Sequence, residues 1–183
     1  MAGPYHARNA WWGLVKSRVG PPLGVVHGVV VRDGPTGDCE LLLAVRVDLR
    51  GWELPGGHLE PGETSDAGLA REVLEETGLV VEVGERTGIY HRTGFLPHTA
   101  FVYLCRVRGG TLRPSAETPR VRWWAADRAP TTLFPWLCLP VADALAHEPG
   151  ATPVERTDHQ GVARVLHAAW IDLSMRLTDD DAS

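Results

Sequence analysis

The chain is short of several features that mark whole classes of protein. It has three cysteines in 183 residues, Cys39, Cys105 and Cys138. They are odd in number, widely spaced and form no CxxC pair. That argues against a disulfide framework and against a cysteine zinc site, and makes a reducing cytoplasm the expected setting. Cys105 lies in an apolar run and reads as a core thiol. No long apolar stretch opens the chain: residues 11–15 are too few for a signal core or a membrane span. Positive charge is not in excess, since the formal net charge is −5. General binding to nucleic acid or to an anionic membrane surface is therefore not expected. No internal repeat is visible.

What remains is ordinary globular composition, 44% hydrophobic and 22% charged. It suits one domain with a sizeable core. Residues 1–22 read as an N-terminal extension that packs through Trp11 and Trp12. Residues 23–148 read as the domain, and 149–183 as linker, C-terminal helix and acidic tail. The β-branched run 25–31 predicts a buried strand. Turn residues at 33–38 join it to an antiparallel strand at 40–47. Further strands are expected at 80–83, 89–96, 99–107 and 121–125, and a helix at 134–146. Residues 147–157 read as a linker. Val162, Val165, Leu166, Ala169, Leu173 and Leu177 then recur at helical spacing. That helix packs on the domain or on a partner subunit, which leaves a homodimer open. The pattern is α+β, or a mixed sheet sandwiched by helices.

The chemistry concentrates in residues 57–79. Glu72, Glu75 and Glu76 stand at i, i+3 and i+4, on one face of a predicted helix. Three like charges so placed repel, and a hard divalent cation with oxygen ligands would relieve them. Ser65 or Asp66 is placed to cap the helix, and Gly78 to end it. Leu69, Ala70, Val73 and Leu74 supply its apolar stripe.

Gly57, five residues, Glu63, seven residues, Arg71-Glu72-Val73, one residue, Glu75-Glu76, one residue and Gly78-Leu79 resembles the Nudix box with every defining position filled. Residues 52–56 resemble the usual lead-in. The resemblance implies a Nudix-type α/β/α sandwich with a mixed sheet. It implies hydrolysis of a phosphoanhydride bond in a nucleoside diphosphate linked to another moiety, with Mg²⁺ or Mn²⁺. Gly57, Glu72, Glu75 and Glu76 would then hold the metal, one glutamate acting as base or placing the water. Arg71 would orient Glu63. Nudix enzymes often bring one more glutamate from a downstream loop, and Glu117 is the candidate. Arg46 and Arg92 could hold phosphates. Trp52, Tyr90 and Phe95 could stack on a base. The expected partner is a small nucleotide: a nucleotide sugar, ADP-ribose or a modified NTP. The runner-up is a catalytically silent Nudix-fold ligand-binding or regulatory module. An isoprenoid diphosphate isomerase on the same fold would need catalytic cysteines that the three positions here do not supply.

Overall fold

The computed structural model describes residues 24–180; the N-terminal extension expected at 1–22 lies outside them. Strand β1 (Gly24–Asp33) alternates its apolar side chains between two faces, as a strand buried on both sides must. Val26 and Val30 face one layer, Val29 and Val31 the other. The expected turn leads into β2 (Cys39–Val45), antiparallel, with Val31 opposite Leu41. Two short strands follow, β3 (Trp52–Glu53) and β4 (Gly56–His58). Helix α1 (Ser65–Thr77) comes next, then β5 (Leu79–Gly94), β6 (His98–Gly110) and β7 (Arg120–Ala125). The chain ends in α2 (Cys138–Leu145), β8 (Val154–Gln160) and α3 (Val162–Asp180).

The sheet runs β3-β2-β1-β6-β5-β8, with β4 on β1 and β7 on β2. It is mixed: β1 lies parallel to β6 and β5 to β8, and the other pairs are antiparallel. Leu69 and Val73 of α1 close one face over Val26, Val30, Leu42 and Cys105. Val141 and Ala144 of α2, with Ala168, Ile171 and Met175 of α3, close the other over Val29, Leu41, Leu43 and Phe134. This is the expected α/β/α sandwich. Among the described residues no helix is long and apolar enough to cross a membrane.

Several boundaries differ from the sequence expectation. The cap of α1 is Thr64, whose hydroxyl accepts from the Ala67 N–H, rather than Ser65 or Asp66. Leu74 is exposed, and only Leu69 and Val73 of the expected stripe are buried. Residues 79–94 form one long strand, because bulges between Val80 and Gly88 bend the ladder without ending it. The first turn of the expected 134–146 helix is irregular, and α2 starts at Cys138.

The largest correction concerns the expected linker. From Val154 onward it is strand β8, in parallel register with β5 from Gly88 to Gly94. Asp143 locks this strand to the domain: it accepts Tyr90 Oη and both forked nitrogens of Arg156, each at 2.8 Å. The stripe expected on α3 also faces elsewhere. Val162, Leu166, Leu173 and Leu177 are exposed, while Ala168, Ile171 and Met175 are buried in the main core. Ile171 is fully buried, so Ile171→Ala is expected to cost about 2–5 kcal/mol in a urea melt. A loss under about 0.5 kcal/mol, the range of a neutral surface change, would contradict an integral α3.

Candidate active site

The carboxylate helix is positioned at its end and along its side. At its C-terminus Gly78 adopts φ 73°, and its N–H returns to the Leu74 carbonyl. Along its C-terminal half, at Glu72 and Glu76, the Gly56–Gly57 strand edge presses against it. Gly56 has φ 150°, and a Cβ there would lie 2.0 Å from the Val26 carbonyl oxygen. A Cβ on Gly57 would sit 2.7 Å from the Glu72 carboxylate. Gly56 is therefore required by close approach to backbone, whereas at Gly57 it is the Glu72 carboxylate tip that would have to move.

Arg71 gathers the acids. Its Nε and Nη2 grip both oxygens of Glu63 at 3.0 and 2.9 Å. Its Nη1 donates to Glu72 at 3.0 Å and to Glu75 at 3.3 Å. The expected Arg71–Glu63 pair is thus present and bidentate. The guanidinium holds the Glu63 carboxyl down at about 2, with the Glu60 N–H assisting. Glu75 is the exposed member of the set. Glu72 is partly buried, and burial raises its carboxyl against the pull of Arg71.

Glu76 points the other way, into the protein. It is 5% exposed and accepts the Gly56 N–H at 3.0 Å. Burial pushes its carboxyl up to about 8, and the neighbouring charge of Glu53 adds to the effect. Glu53 is itself raised to about 7, chiefly by burial, although Arg46 lies 3.5 Å away. Two acids so placed disfavour each other's ionised form. Glu53 was passed over in the sequence as mere lead-in. The available signal was an acidic residue between the core residues Trp52 and Leu54.

The loop carrying Glu117 packs against the carboxylate helix. Thr118, fully buried, donates its hydroxyl to the Glu76 carbonyl at 2.5 Å. The Glu117 carbonyl accepts from the Val47 N–H at 3.0 Å. The loop is pinned so that the charge of Glu117 is felt at Glu72. Arg46 is committed to Asp48, bidentate at 2.9 Å on both arms. Helix α3 holds that loop in turn, through Asp172 on the Arg50 N–H and Arg176 on the Asp48 carbonyl. Trp52 is 7% exposed and meets Trp124 edge-on at 5.3 Å, a core position rather than a stacking platform. Arg92 is buried on the other face of the sheet, away from α1.

Among the described residues no three acidic or imidazole side chains converge on one point. Arg71 draws Glu72 and Glu75, and Gly56 draws Glu76. The donor set nonetheless fits a hard cation. It is all oxygen, lies against a glycine backbone where a Cβ would collide, and includes a buried acid pair whose mutual repulsion a cation would offset. The cysteines lie elsewhere: Cys105 is buried in the second core layer, as expected, and Cys39 and Cys138 are exposed.

The profile of the NUDIX domain matches residues 22–139. A MutT-like protein of Streptomyces ambofaciens is 43% identical over 145 residues, covering 77% of this chain and 87% of its own. The human 8-oxo-dGDP phosphatase NUDT18 is 37% identical over 98 residues, covering 51% of this chain and 30% of its own. Among solved structures, the crystal structure of an ADP-ribose pyrophosphatase from Streptococcus suis superposes with a TM-score of 0.60 at 24% identity, covering 75% of this chain and 99% of that one.

Proposed function

The chain belongs to the NUDIX hydrolase family, and on that premise we propose that it cleaves a phosphoanhydride bond in a nucleoside diphosphate derivative, with Mg²⁺ (or Mn²⁺) as the ion. The observation that carries this reading is the α1 face. Every carboxylate of the box is present, and Arg71 ties three of them, Glu63, Glu72 and Glu75, into one network beside Gly57. Enzymes of this family use divalent metal ions. Glu72, Glu75, Glu76 and Glu117, with the Gly57 carbonyl, would hold the ions here. Bound, they would neutralise the diphosphate and acidify a water.

The chain's own residues supply the rest. Arg71 and Glu63 set the orientation of the Glu72 and Glu75 carboxylates. Burial raises the Glu53 and Glu76 carboxyls in the metal-free chain, Glu53 to about 7, so Glu53 can hold or release a proton beside Glu76 near neutral pH. Thr118 fixes the loop that delivers Glu117. Arg46 lies beside Glu53 and is the phosphate-side cation of this proposal. The exposed stripe Leu166, Trp170, Leu173 and Leu177 repeats at four-three-four spacing, which suits a second copy of the same helix. We therefore propose a homodimer, and unpaired cysteines favour a reducing cytoplasm.

The test is phosphate or pyrophosphate release from a panel of nucleotide sugars, ADP-ribose and modified NTPs. Turnover is expected with Mg²⁺ and is expected to stop on chelation. Tight binding of panel members without turnover would instead favour a ligand-binding module.

A further inference from the structure

Several arginine forks can be compared among the described residues. Arg46, Arg71, Arg156 and Arg176 each direct the side-on pair Nε–H and Nη2–H at one carboxylate, of Asp48, Glu63, Asp143 and Asp172 respectively. In Arg92 that same pair is buried and finds no acceptor among the described residues. Arg92 is only 9% exposed. Two buried donors left open cost free energy that an acceptor from outside the chain would return.

The surroundings describe that acceptor. Arg92 follows Tyr90 on the face of β5 that looks toward α2 and α3, opposite the carboxylate helix. It pairs in register with His98 on one side and Asp158 on the other. Its guanidinium lies 5.7 Å from the centre of the Trp136 ring. His27 shares this face, with Nδ1 buried and open. Gln160 donates its amide to Asp158 at 2.6 Å, which leaves its Oε1 buried without a donor. This buried cluster thus offers a two-donor fork and a separate acceptor. Its charge is nearly balanced: Asp158 and Glu53 face the guanidinium, Arg164 adds a second cation that is already paired with Asp158, and burial beside Arg92 keeps both His27 and His98 neutral. A second buried phosphate would lack the cations it needs, whereas a neutral ring edge would not.

We propose that Arg92 reads the base of the substrate, its fork taking the adjacent O6 and N7 acceptors of a 6-oxopurine while Gln160 accepts the neighbouring ring N–H. This rests on the nucleotide-hydrolase reading and deepens it. His27 sits opposite Gly56 in the β1–β4 pairing. From β4 to β5 is three inter-strand steps, roughly 14 Å. A nucleotide can cover that span with its phosphates at the carboxylate end. An adenine would present its N6 amino donors to the fork and be refused. Gln160 comes from β8, beyond the 22–139 domain match, so the C-terminal extension completes the cluster.

The experiment is tryptophan-fluorescence titration of the full chain with GDP, IDP, ADP and 7-deaza-GDP in Mg²⁺, with turnover measured on the corresponding nucleotide sugars. GDP and IDP are expected to bind about tenfold to a hundredfold more tightly than ADP, as a bidentate base contact provides. The 7-deaza analogue, lacking one acceptor, is expected to lose most of that advantage in the unaltered protein. Arg92→Lys keeps the charge but not the fork, and is expected to weaken GDP and IDP to the level of ADP while leaving ADP unchanged. Equal affinity of the wild type for GDP and ADP, or an equal loss for every ligand and for inorganic pyrophosphate in Arg92→Lys, would overturn the proposal. Base discrimination without hydrolysis would instead sink the hydrolase reading and leave the base pocket standing.

Discussion

Glu76→Gln is expected to reduce kcat by about 10²–10⁴-fold, the loss of a few kcal/mol of charge stabilisation, while making the metal-free protein more stable. The two effects share one cause. Glu76 is 5% exposed beside Glu53, and its carboxyl is raised from 4.5 to about 8. At this carboxyl the native state therefore binds more protons than the unfolded chain between those values, and its contribution to metal-free stability falls as pH rises through that window. The favourable contribution is complete below about 4.5 and gone above about 8. Glutamine can still accept the Gly56 N–H and carries no charge, so the slope should flatten in the variant. A relief of about 2 kcal/mol would raise Tm by roughly 4–8 °C at pH 8 for a chain of this length. Mg²⁺ acts oppositely to proton binding: it requires the ionised acids, so its stabilisation of the wild type should grow with pH. Activity should climb across the same range. Thermal melts at pH 5 and pH 8, with Mg²⁺ and with chelator, read all of this. His27 and His98, held low by burial, gain stability as pH rises and are common to both proteins, so the comparison is decisive: a wild-type minus Glu76→Gln difference that does not change between pH 5 and pH 8 would contradict the buried-acid account.

Most strand positions and the α1 face could be read in the sequence because each rests on a local pattern. The β-branched run 25–31 and the alternation in 99–107 announce strands, and the box spacing puts Glu72, Glu75 and Glu76 on one helix. What escaped depended on distant pairing. Val154–Gln160 has little apolar content and is a strand because β5 offers it a ladder. Thr64 is the cap through its extended backbone, although serine is the better capping residue type by sequence. The α3 stripe was misread because the helix is apolar on two faces, and only packing selects Ala168, Ile171 and Met175 as the buried one. Thr118 and Glu53 escaped for the same reason. Each matters only because tertiary structure brings it to Glu76, 42 and 23 residues away in sequence. Arg92 was singled out for phosphate, and its neighbours now favour a base.

Arg71→Lys should lower kcat by about 10–100-fold, the usual cost of removing a group that orients metal-binding side chains, with KM changed far less. Lysine keeps the positive charge near Glu72 and Glu75. It cannot reproduce the two parallel bonds to Glu63 at 3.0 and 2.9 Å while also reaching Glu72 and Glu75 from Nη1. The glutamates would then sample more orientations, and the Mg²⁺ concentration needed for half-maximal activity should rise. Stability should change little, because Glu75 and part of Arg71 are solvent-exposed and such pairs contribute about 1 kcal/mol or less. Glu63→Gln should mimic the effect, since the fork loses its charged partner. The double variant should be scarcely worse than either single one, because both break the same link. Measured kcat, KM and Mg²⁺ dependence of the two singles and the double decide the point. Additive losses would mean that Arg71 and Glu63 act separately, and that Arg71 touches the reaction by some route other than holding the carboxylates in place.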